Sequence, residues 1–488
     1  MYIGIDIGTS GTKTLLTDGQ GNILRSQTRE YPLSTPQNGW AEQQPELWRD
    51  AAIETIRAVL DGIEATQIEA VGLTGQMHGL VCLDKADNVL CPAILWCDQR
   101  TAAECEEITS IVGKERLVEL TANPALTGFT SPKILWLRKN EPGIYERTAK
   151  IMLPKDYVRY ILTGENASDM SDASGTGLLN VAKRDWDPEV LIKLGIEKSL
   201  LGRLCESPEI AGRITQSAAA LTGLPEGTPV VAGAGDNAAA AIGTGVCKDG
   251  QAFVTIGSSG VVYAHTSDMR FDAAGRIHTF CSAVPGEWHV MGVTLAAGMS
   301  LKWFRDNFMP GKPYNELDCL AEQAPIGADG LYYLPYLNGE RSPHLDPNAR
   351  GAFLGLSSMH EARHLVRSVI EGVTYSLRDC YDVILQTGLR FAEIAACGGG
   401  MSSAFWRRMT SDVFGARVTA AQTTAGPALG AAMLAAVGTG AYSGVAEACS
   451  AIADQQPDSV EPDPEAAKEY AKSYAGYKKL YPALRNVP

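Results

Sequence analysis

The sequence predicts an α/β protein made of two similar halves, and two observations support this. First, FVTIGSSGVVY at 253–263 looks like a second copy of YIGIDIGTSGT at 2–12. Each copy is a β-rich run broken by a tight Gly/Ser/Thr turn, which predicts a β-hairpin whose turn can present backbone N–H groups to an anion. Second, strand and helix patterns alternate in the first half, as in α/β proteins. We expect two halves that clamp a phosphate chain between them; two unrelated glycine-rich hairpins are the alternative.

The composition narrows the function classes. The chain has 488 residues, of which 45% are hydrophobic and 20% charged, and two large domains fit this length. Its 42 basic and 56 acidic residues give a net charge of -14, which argues against a broad nucleic-acid or anionic-membrane surface. The 11 cysteines contain no CxxC pair, which favours reduced thiols in a cytoplasmic protein. No leader peptide or membrane span is expected, because no apolar run reaches the ~18 residues that cross a bilayer.

The first half is predicted to contain a helix, two strands and a strand–turn–helix unit. The segments, in chain order, are a helix at 45–63, strands at 68–77 and 80–90, further helical patterning over 127–164, and the strand–turn–helix unit VVAGAGDNAAAAIGTG at 230–245. We place the domain boundary just after this unit, which gives domains of 1–247 and 248–488.

The second half opens with the repeated hairpin and continues with helices around one further strand. Its predicted segments are a long helix at 362–386, a strand at 394–400, a helix at 402–415 and an Ala-rich helix at 428–437. Near the chain end, tyrosines recur at helical spacing, and we interpret them as a stripe that packs a helix on the body. These tyrosines are Tyr470, Tyr474, Tyr477 and Tyr481.

Two charged residues flank the first glycine turn. Asp6 precedes the Gly8–Gly11 turn, and a carboxylate beside a phosphate-binding turn is suited to hold Mg²⁺ through water. Lys13 follows the turn and can meet a phosphate as a point charge. The segment matches neither a Walker A loop nor GxGxxG. A structural hairpin with an exposed aspartate is the alternative for Asp6.

A second carboxylate, Asp236, lies where the 230–245 unit turns into its helix. Backbone N–H groups and the helix dipole favour the ionised carboxylate at such a position. Gly233 and Gly235 let a substrate approach the backbone closely, which favours a functional role. An ordinary helix N-cap is the alternative.

Met77 and His78 lie in GQMHG, at the end of the strand predicted over 68–77. A histidine between a strand end and a glycine turn is a candidate pocket residue. A structural histidine explains the local sequence equally well.

Several motifs, taken together and in order, resemble the FGGY carbohydrate kinases over nearly the whole chain. They are GFTSPKILWLRKN (128–140) and GAFLGLSSMHEARHLVRSVIEG (351–372), with DIGTSGTK, AGDN, IGSSG and CGGG between and around them. The resemblance implies the two-domain actin/Hsp70-like, ribonuclease H-like ATPase fold. Four further segments resemble members that phosphorylate D-xylulose: GQMHG, LPKDYVRYILTGE (153–165), SDMSDASGT (168–176) and LPYLNGERSPH (334–344).

The resemblance also implies roles for individual residues. Asp236 would be the general base, and Asp6 with Asp236 would hold Mg²⁺ on the ATP phosphates. The sugar pocket would be lined by Met77, His78, Asp236 and Asn237. The nucleotide contacts would come from Thr9, Ser10, Lys13, Gly257, Ser258, Ser259, Gly298, Gly399, Gly400 and Ser403. Ser258 replaces the threonine, and Ser403 the asparagine, found in some relatives.

The expected function is therefore ATP-dependent phosphorylation of D-xylulose in pentose catabolism, in a cytoplasmic protein that is a candidate homodimer. A kinase for another ketose, a polyol or gluconate is an alternative, since one pocket contact decides such specificity. An actin- or Hsp70-like ATPase switch is an alternative of another class. The FGGY motifs argue against a switch.

Overall fold

The computed structural model describes residues 1–391, 393–421, 426–453 and 458–485. Its first-half strands are β1 (Tyr2–Ile7), β2 (Gly11–Thr17), β3 (Ile23–Glu30), β4 (Glu42–Gln43), β5 (Ala70–Gly75), β6 (Val81–Leu83), β7 (Ala93–Ile94), β8 (Lys150–Met152), β9 (Ala167–Asp169), β10 (Leu179–Asn180), β11 (Asp185–Trp186), β12 (Arg203–Cys205), β13 (Ile210–Arg213), β14 (Pro229–Val231) and β15 (Ala234–Gly235). Its second-half strands are β16 (Gln251–Ile256), β17 (Gly260–Thr266), β18 (His278–Cys281), β19 (Trp288–Thr294), β20 (Tyr332–Leu334), β21 (Ala352–Leu354), β22 (Glu393–Cys397), β23 (Arg417–Ala420) and β24 (Ser459–Val460).

Helices cover both sheets. Those of the first half are α1 (Pro45–Leu60), α2 (Ala102–Val112), α3 (Lys114–Thr121), α4 (Thr130–Asn140), α5 (Pro142–Arg147), α6 (Pro154–Thr163), α7 (Met170–Ala173), α8 (Pro188–Leu194), α9 (Gln216–Thr222) and α10 (Asp236–Gly243). Those of the second half are α11 (Gly298–Phe308), α12 (Tyr314–Glu322), α13 (Ala362–Gln386), α14 (Ala404–Phe414), α15 (Gly426–Gly438), α16 (Val445–Ile452), α17 (Pro464–Tyr477) and α18 (Leu480–Leu484). Within the four described stretches, no helix is long and apolar enough to cross a membrane.

The two large sheets have matching topologies. The first has the strand order β3, β2, β1, β5, β14, β13, with β15 also paired to β5; the second has the order β18, β19, β17, β16, β22, β23, β24. In both, the first strand of the repeated hairpin pairs antiparallel with the second and parallel with a later strand, β5 or β22. The hairpins at 2–12 and 253–263 therefore hold equivalent positions, and the prediction of two similar halves is confirmed.

Helix α15 joins the halves, because it comes from the second half and packs on the first sheet. The approach is so close that a Cβ added to Gly4 would lie 1.9 Å from the Ala428 carbonyl oxygen. A Cβ on Gly72 would lie 2.0 Å from the Ala431 carbonyl oxygen. Only glycine on the strand leaves room for the helix backbone. The domain boundary at 247–248 stays a prediction, and α15 lies on the opposite side of it from the sheet on which it packs.

Most of the predicted elements form, with one wrong strand. The helices predicted over 45–63 and 362–386 appear as α1 and α13. The strand predicted over 80–90 is wrong beyond β6, because Asp84 accepts the N–H groups of Ala86 and Asn88 and turns the chain. Helix α17 packs three of its predicted tyrosines, Tyr470, Tyr474 and Tyr477, in buried positions. Tyr481 lies instead in the next helix, α18, and is half-buried.

Candidate active site

Three parallel neighbouring strands, β1, β5 and β15, end at one edge of the first sheet. Asp6 on β1 lies opposite Thr74 on β5, and Gly235 on β15 lies opposite Gly75. The chain therefore carries Asp6, the Met77–His78 pair and Asp236 to the same edge. Ligands bind at the carboxyl ends of parallel strands in α/β folds, since the loops there form a crevice. The sequence-predicted sugar and metal residues are brought together by this edge.

The carboxyl groups of Asp6 and Asp236 are both harder to ionise than usual. Burial raises the pKa of Asp6 to about 7, with the charge of Asp236 adding to the effect and Lys13 opposing it. Burial also raises the pKa of Asp236 to about 6, against the hydrogen bonds from Asn237. Neither carboxylate forms an ion pair in the described part of the chain. Two desolvated carboxylates near each other are an arrangement that a divalent cation stabilises.

Asp236 is the first residue of helix α10, and Gly235 is the N-cap. The alternative that Asp236 is the N-cap is therefore wrong. Its Oδ1 accepts the backbone N–H of Asn237 at 2.7 Å and the Asn237 side-chain amide at 2.9 Å. These two bonds engage Oδ1 and orient the carboxylate.

A buried ion cluster lies behind the Asp236 turn. The Lys155 ammonium is 2.6 Å from Asp156 Oδ1, 2.6 Å from Asp169 Oδ1 and 3.2 Å from Asp172 Oδ2. Burial, reinforced by the charges of Asp156 and Asp169, raises the pKa of Asp172 well above its usual value. The three carboxylates have a spacing that suits a metal ion, but the ammonium of Lys155 supplies the positive charge there. We therefore interpret the cluster as structural.

This cluster is connected to the Asp236 turn by two hydrogen bonds. Ser171 Oγ accepts the backbone N–H of Gly235 at 3.0 Å and itself donates to Asp169 Oδ2 at 2.5 Å. On the other side, Arg159 donates to the Ala232 carbonyl oxygen at 2.8 Å. The segment that leads to Asp236 is thus held at both ends by buried side chains.

His78 is buried, with 4% of its surface exposed, and has a left-handed backbone with φ of 69°. Its Nδ1 is 2.6 Å from the Gly175 carbonyl oxygen, and its ring stacks on Phe129 at 4.6 Å. Burial, with the charges of Lys133 and Arg341, holds the pKa of His78 well below its usual value. A neutral ring that donates from Nδ1 to a carbonyl has Nε2 as an acceptor.

Lys133 fixes the loop that carries His78. Its buried ammonium donates to the His78 carbonyl oxygen at 2.8 Å and to the Gly128 carbonyl oxygen at 2.7 Å. Burial lowers the pKa of Lys133 to about 7, although the charge of Asp98 opposes this. Met77 is also buried, and a Cβ on Gly235 would lie 2.9 Å from its Cγ. Met77 therefore lies between His78 and the Asp236 turn.

The first hairpin holds the predicted phosphate residues Thr9, Ser10 and Lys13. The Thr9 hydroxyl already donates to Gln76 Oε1 at 3.1 Å and accepts the Trp96 indole N–H at 3.0 Å. Ser10 is exposed at the turn, and Lys13 lies opposite Asp6 in the β1–β2 register. The Thr9 hydroxyl is thus already engaged within the protein, and its contact with phosphate stays a prediction.

The second sheet forms a cavity of about 740 Å³ at the equivalent edge. Six residues predicted to bind the nucleotide line it: Gly257, Ser258, Gly298, Gly399, Gly400 and Ser403. A Cβ on Gly298 would lie 2.5 Å from the Gly257 carbonyl oxygen, so glycine permits the helix α11 start to approach the hairpin. Ser259 lies beside the cavity in the same turn and is partly exposed.

Ser403 has a structural role as well, because its hydroxyl accepts the Trp406 N–H at 3.1 Å and caps helix α14. Sequence reasoning missed three polar residues of helix α12 that also line the cavity: Tyr314, Asn315 and Asp318. Burial raises the pKa of Asp318, although a hydrogen bond with Ser403 opposes the shift. No local motif marks these residues.

Sequence reasoning also missed the residues that hold the His78 loop and the Asp236 turn in place. Lys133 lies within the 128–140 motif, and a lysine among apolar residues of a predicted helix could have been recognised as a buried, bonded lysine. Lys155 and Ser171 likewise lie within motifs that we quoted, 153–165 and 168–176. The sequence of a motif does not determine which backbone group its lysine or serine will contact.

The comparisons with known proteins agree with this geometry. The model of the FGGY family of carbohydrate kinases, N-terminal domain, matches residues 1–243, and that of the C-terminal domain matches 252–439. A xylulose kinase of Bacillus subtilis (strain 168) is 38% identical over 487 residues, which cover 99% of this chain and 97% of the relative.

Two solved structures share the whole fold. A "xyloylose kinase" from Brucella ovis has a TM-score of 0.94 and 36% identity, with 100% of both chains covered. A gluconate kinase from Lactobacillus acidophilus has a TM-score of 0.95 and 28% identity, with 100% of this chain and 98% of that chain covered. The structure thus has two matching sheets, with carboxylates at the edge of the first and a glycine-lined cavity at the edge of the second. The two family models match most of the sequence that forms these sheets. The chain belongs to the FGGY family of carbohydrate kinases.

Proposed function

We propose that this chain transfers the γ-phosphoryl group of ATP to the terminal 5-hydroxyl of D-xylulose and forms D-xylulose 5-phosphate. The observation that carries the proposal is the convergence of Asp236, Met77 and His78 at one edge of the first sheet. Full-length similarity to xylulose kinases supports the choice of sugar. A cytoplasmic location and a homodimer stay predictions; the mass in solution will test the latter.

Asp236 is the general base. Its Oδ2 accepts the proton of the attacking 5-hydroxyl while Asn237 holds Oδ1. Phosphoryl transfer has a loose transition state, so the position of the hydroxyl contributes more than the strength of the base. The neutral His78 ring accepts a hydrogen bond from another sugar hydroxyl through Nε2. Met77 supplies apolar contact between the two polar groups.

Asp6 and Asp236 fit a Mg²⁺ ion, because burial raises the pKa of both carboxyl groups and neither has an ion-pair partner among the described residues. Bound Mg²⁺ would supply positive charge to the ATP phosphates. The backbone N–H groups of the 8–11 and 257–260 turns orient the phosphate chain, and the cavity of the second sheet receives the nucleoside.

A panel of sugars tests the proposal. The wild-type protein should convert ATP to ADP much faster with D-xylulose than without sugar, in a stoichiometric ratio to sugar phosphate. Asp236→Ala should lower kcat at least about 10²-fold, the loss typical of a positioned base, with little change in ATP binding. Exposed Asp185→Ala is the matched control and should behave like wild type. Turnover of Asp236→Ala above a tenth of wild type would exclude this role.

Gluconate is the second candidate substrate. A gluconate kinase of this fold covers the whole chain at 28% identity, and a cationic side chain near His78, Arg341, suits a carboxylate. If the wild type phosphorylates gluconate as fast as D-xylulose or faster, gluconate becomes the favoured substrate.

A further inference from the structure

Arg341 extends from the second half towards Gly128 and His78 of the first half. It lies between β20 and β21, and its guanidinium carbon is 5.9 Å from the centre of the Trp96 ring. Its Nη2 lies 3.0 Å from the position that a Cβ on Gly128 would occupy. The absence of a side chain at Gly128 thus leaves space for the guanidinium.

The guanidinium of Arg341 has no protein acceptor in the stretches that the structure describes, neither a hydrogen bond nor an ion pair. Nearby Arg100, in contrast, pairs with Asp98 and Glu42. Burial lowers the pKa of Arg341, although Glu340 opposes the shift. Arg341 is half-buried, so its five N–H donors have no protein acceptor but remain within reach of a bound molecule, and a ligand that brings oxygen atoms would stabilise the cation.

The backbone beneath Arg341 is anchored. Glu340 Oε1 accepts the N–H of Leu295 at 2.9 Å and the N–H of Arg341 itself at 2.7 Å. The side chain therefore leaves a fixed point of the backbone, which lowers the entropic cost of holding a ligand there.

The contacts also place Arg341 relative to the reacting hydroxyl. Met77 lies against the Gly235 position, beside Asp236, and His78 follows Met77. Phe129 stacks on His78, and Gly128, next to Phe129, borders Arg341. The contacts that start at Asp236 thus run through Met77 and His78 to Arg341. A sugar with its terminal hydroxyl at Asp236 directs its other end towards Arg341.

We propose that Arg341 binds the carbonyl end of the ketose, donating to the C2 carbonyl and C1 hydroxyl oxygens, and so favours a ketose over the corresponding polyol. This inference rests on the proposed function. It adds a substrate-binding residue from the second half to a pocket otherwise built by the first. A carbonyl oxygen only accepts hydrogen bonds, which matches a guanidinium that only donates them.

The test compares wild type with Arg341→Met, which removes the charge, and Arg341→Lys, which keeps it but loses the planar fork. The KM for D-xylulose should rise about ten- to a hundredfold in Arg341→Met, the range for a charge-assisted hydrogen bond, and less in Arg341→Lys. The KM for ATP and the sugar-independent ATP hydrolysis should stay within about twofold. Binding of D-arabinitol, the matching polyol, should change much less than binding of D-xylulose.

Arg378→Met is the matched control, since Arg378 is a partly buried arginine of the same half that pairs with Asp382. It should leave both sugar affinities unchanged. Added methylguanidinium should partly restore D-xylulose binding to Arg341→Ala, an effect that a purely structural role would not produce. The proposal is overturned if folded Arg341→Met and Arg341→Lys, judged by melting temperature, bind D-xylulose like wild type, or if the preference for D-xylulose over D-arabinitol persists.

The test distinguishes failure of the proposed function from failure of the Arg341 proposal. If the wild type phosphorylates gluconate and not D-xylulose, the D-xylulose assignment falls and the ketose form of the Arg341 proposal falls with it. If the wild type phosphorylates D-xylulose and the Arg341 variants match it, only the Arg341 proposal falls.

Discussion

At the scale of single residues, Asp236 meets two opposing demands. Burial raises its pKa to about 6, which makes it a stronger base than a surface aspartate, but the group must remain ionised to accept a proton. The two hydrogen bonds from Asn237 stabilise the ionised form and limit the shift. The result is a carboxylate that is mostly ionised near neutral pH and titrates just below it.

This shift predicts the pH dependence of the reaction. A raised pKa means that the carboxylate protonates at a higher pH, so activity is present above the folded-state value and lost below it. The kcat/KM for sugar, measured from about pH 8 down to about pH 5 at saturating ATP and the lowest Mg²⁺ concentration that supports turnover, should fall below about pH 6. Raising Mg²⁺ should move this fall to lower pH, because a bound cation favours the ionised carboxylate. An acidic limb near pH 4, the ordinary range of an aspartate, would contradict the raised pKa as the controlling group.

His78 predicts a specific loss of sugar affinity. His78→Ala should raise the KM for D-xylulose roughly two- to twelvefold, because one hydrogen bond to a sugar hydroxyl contributes about 0.5–1.5 kcal/mol. The KM for ATP should change little. His360→Ala, which alters a loop histidine bonded to Ser357, serves as the control. Wild-type kinetics in a stably folded His78→Ala protein would remove His78 from the pocket.

At the scale of elements, the site depends on three strand ends and on what holds the last of them. Strand β15 is only two residues long, Ala234–Gly235, so its own ladder fixes it weakly. Ser171 and Arg159 supply the missing restraints by contacting the Gly235 N–H and the Ala232 carbonyl oxygen. The ion cluster in turn holds these two side chains.

Ser171→Ala should therefore impair catalysis without weakening ATP binding. The change leaves the buried Gly235 N–H without an acceptor, which costs about 1–3 kcal/mol of stability, and kcat should fall because Asp236 loses its position. Ser171→Thr keeps the hydroxyl and should recover much of kcat. Ser368→Ala, a buried serine of α13 whose hydroxyl donates to Leu365, is the control and should retain kcat. An unchanged kcat in Ser171→Ala would show that the bond does not position the base.

At the scale of the whole molecule, glycines let the two halves pack as one body. Helix α15 lies on β1 and β5 at Gly4 and Gly72, where any side chain would collide with helix carbonyl groups. The same two strands carry Asp6 and lead to Met77. Packing of the second half on this sheet therefore supports the active site directly.

Gly72→Ala should destabilise the protein by at least about 1–3 kcal/mol, the usual cost of overpacking, because its Cβ would lie 2.0 Å from the Ala431 carbonyl oxygen. Urea unfolding measures the change. Gly143→Ala is the matched control, since no atom lies within 4 Å of its added Cβ. Equal stability of the two variants would contradict the close packing of α15.

Local patterns predicted much of this protein. The turns at 8–11 and 257–260 are marked by their Gly/Ser/Thr composition between β-rich runs, and the helical period of 362–386 places apolar residues on one face. Both signals span only a short stretch of sequence. Strand 80–90 failed because the turn made by Asp84 overrides the apolar pattern around it. Asp6, Met77, His78 and Asp236 could be named because each lies in a recognisable motif at the end of a strand or the start of a helix.

The sequence by itself thus determined the two matching halves and the residues that end the strands of the first sheet, since short-range sterics and periodicity specify them. Only the tertiary structure decided which distant groups meet. Lys133 contacts the His78 carbonyl group, Ser171 contacts the Gly235 N–H, and Arg341 of the second half reaches Gly128 of the first. Such pairs are set by how helices and sheets pack, and that depends on the fit of whole surfaces. The physical reason is that neighbouring residues in the sequence determine the local conformation of a side chain. They do not determine which distant residue packs against it.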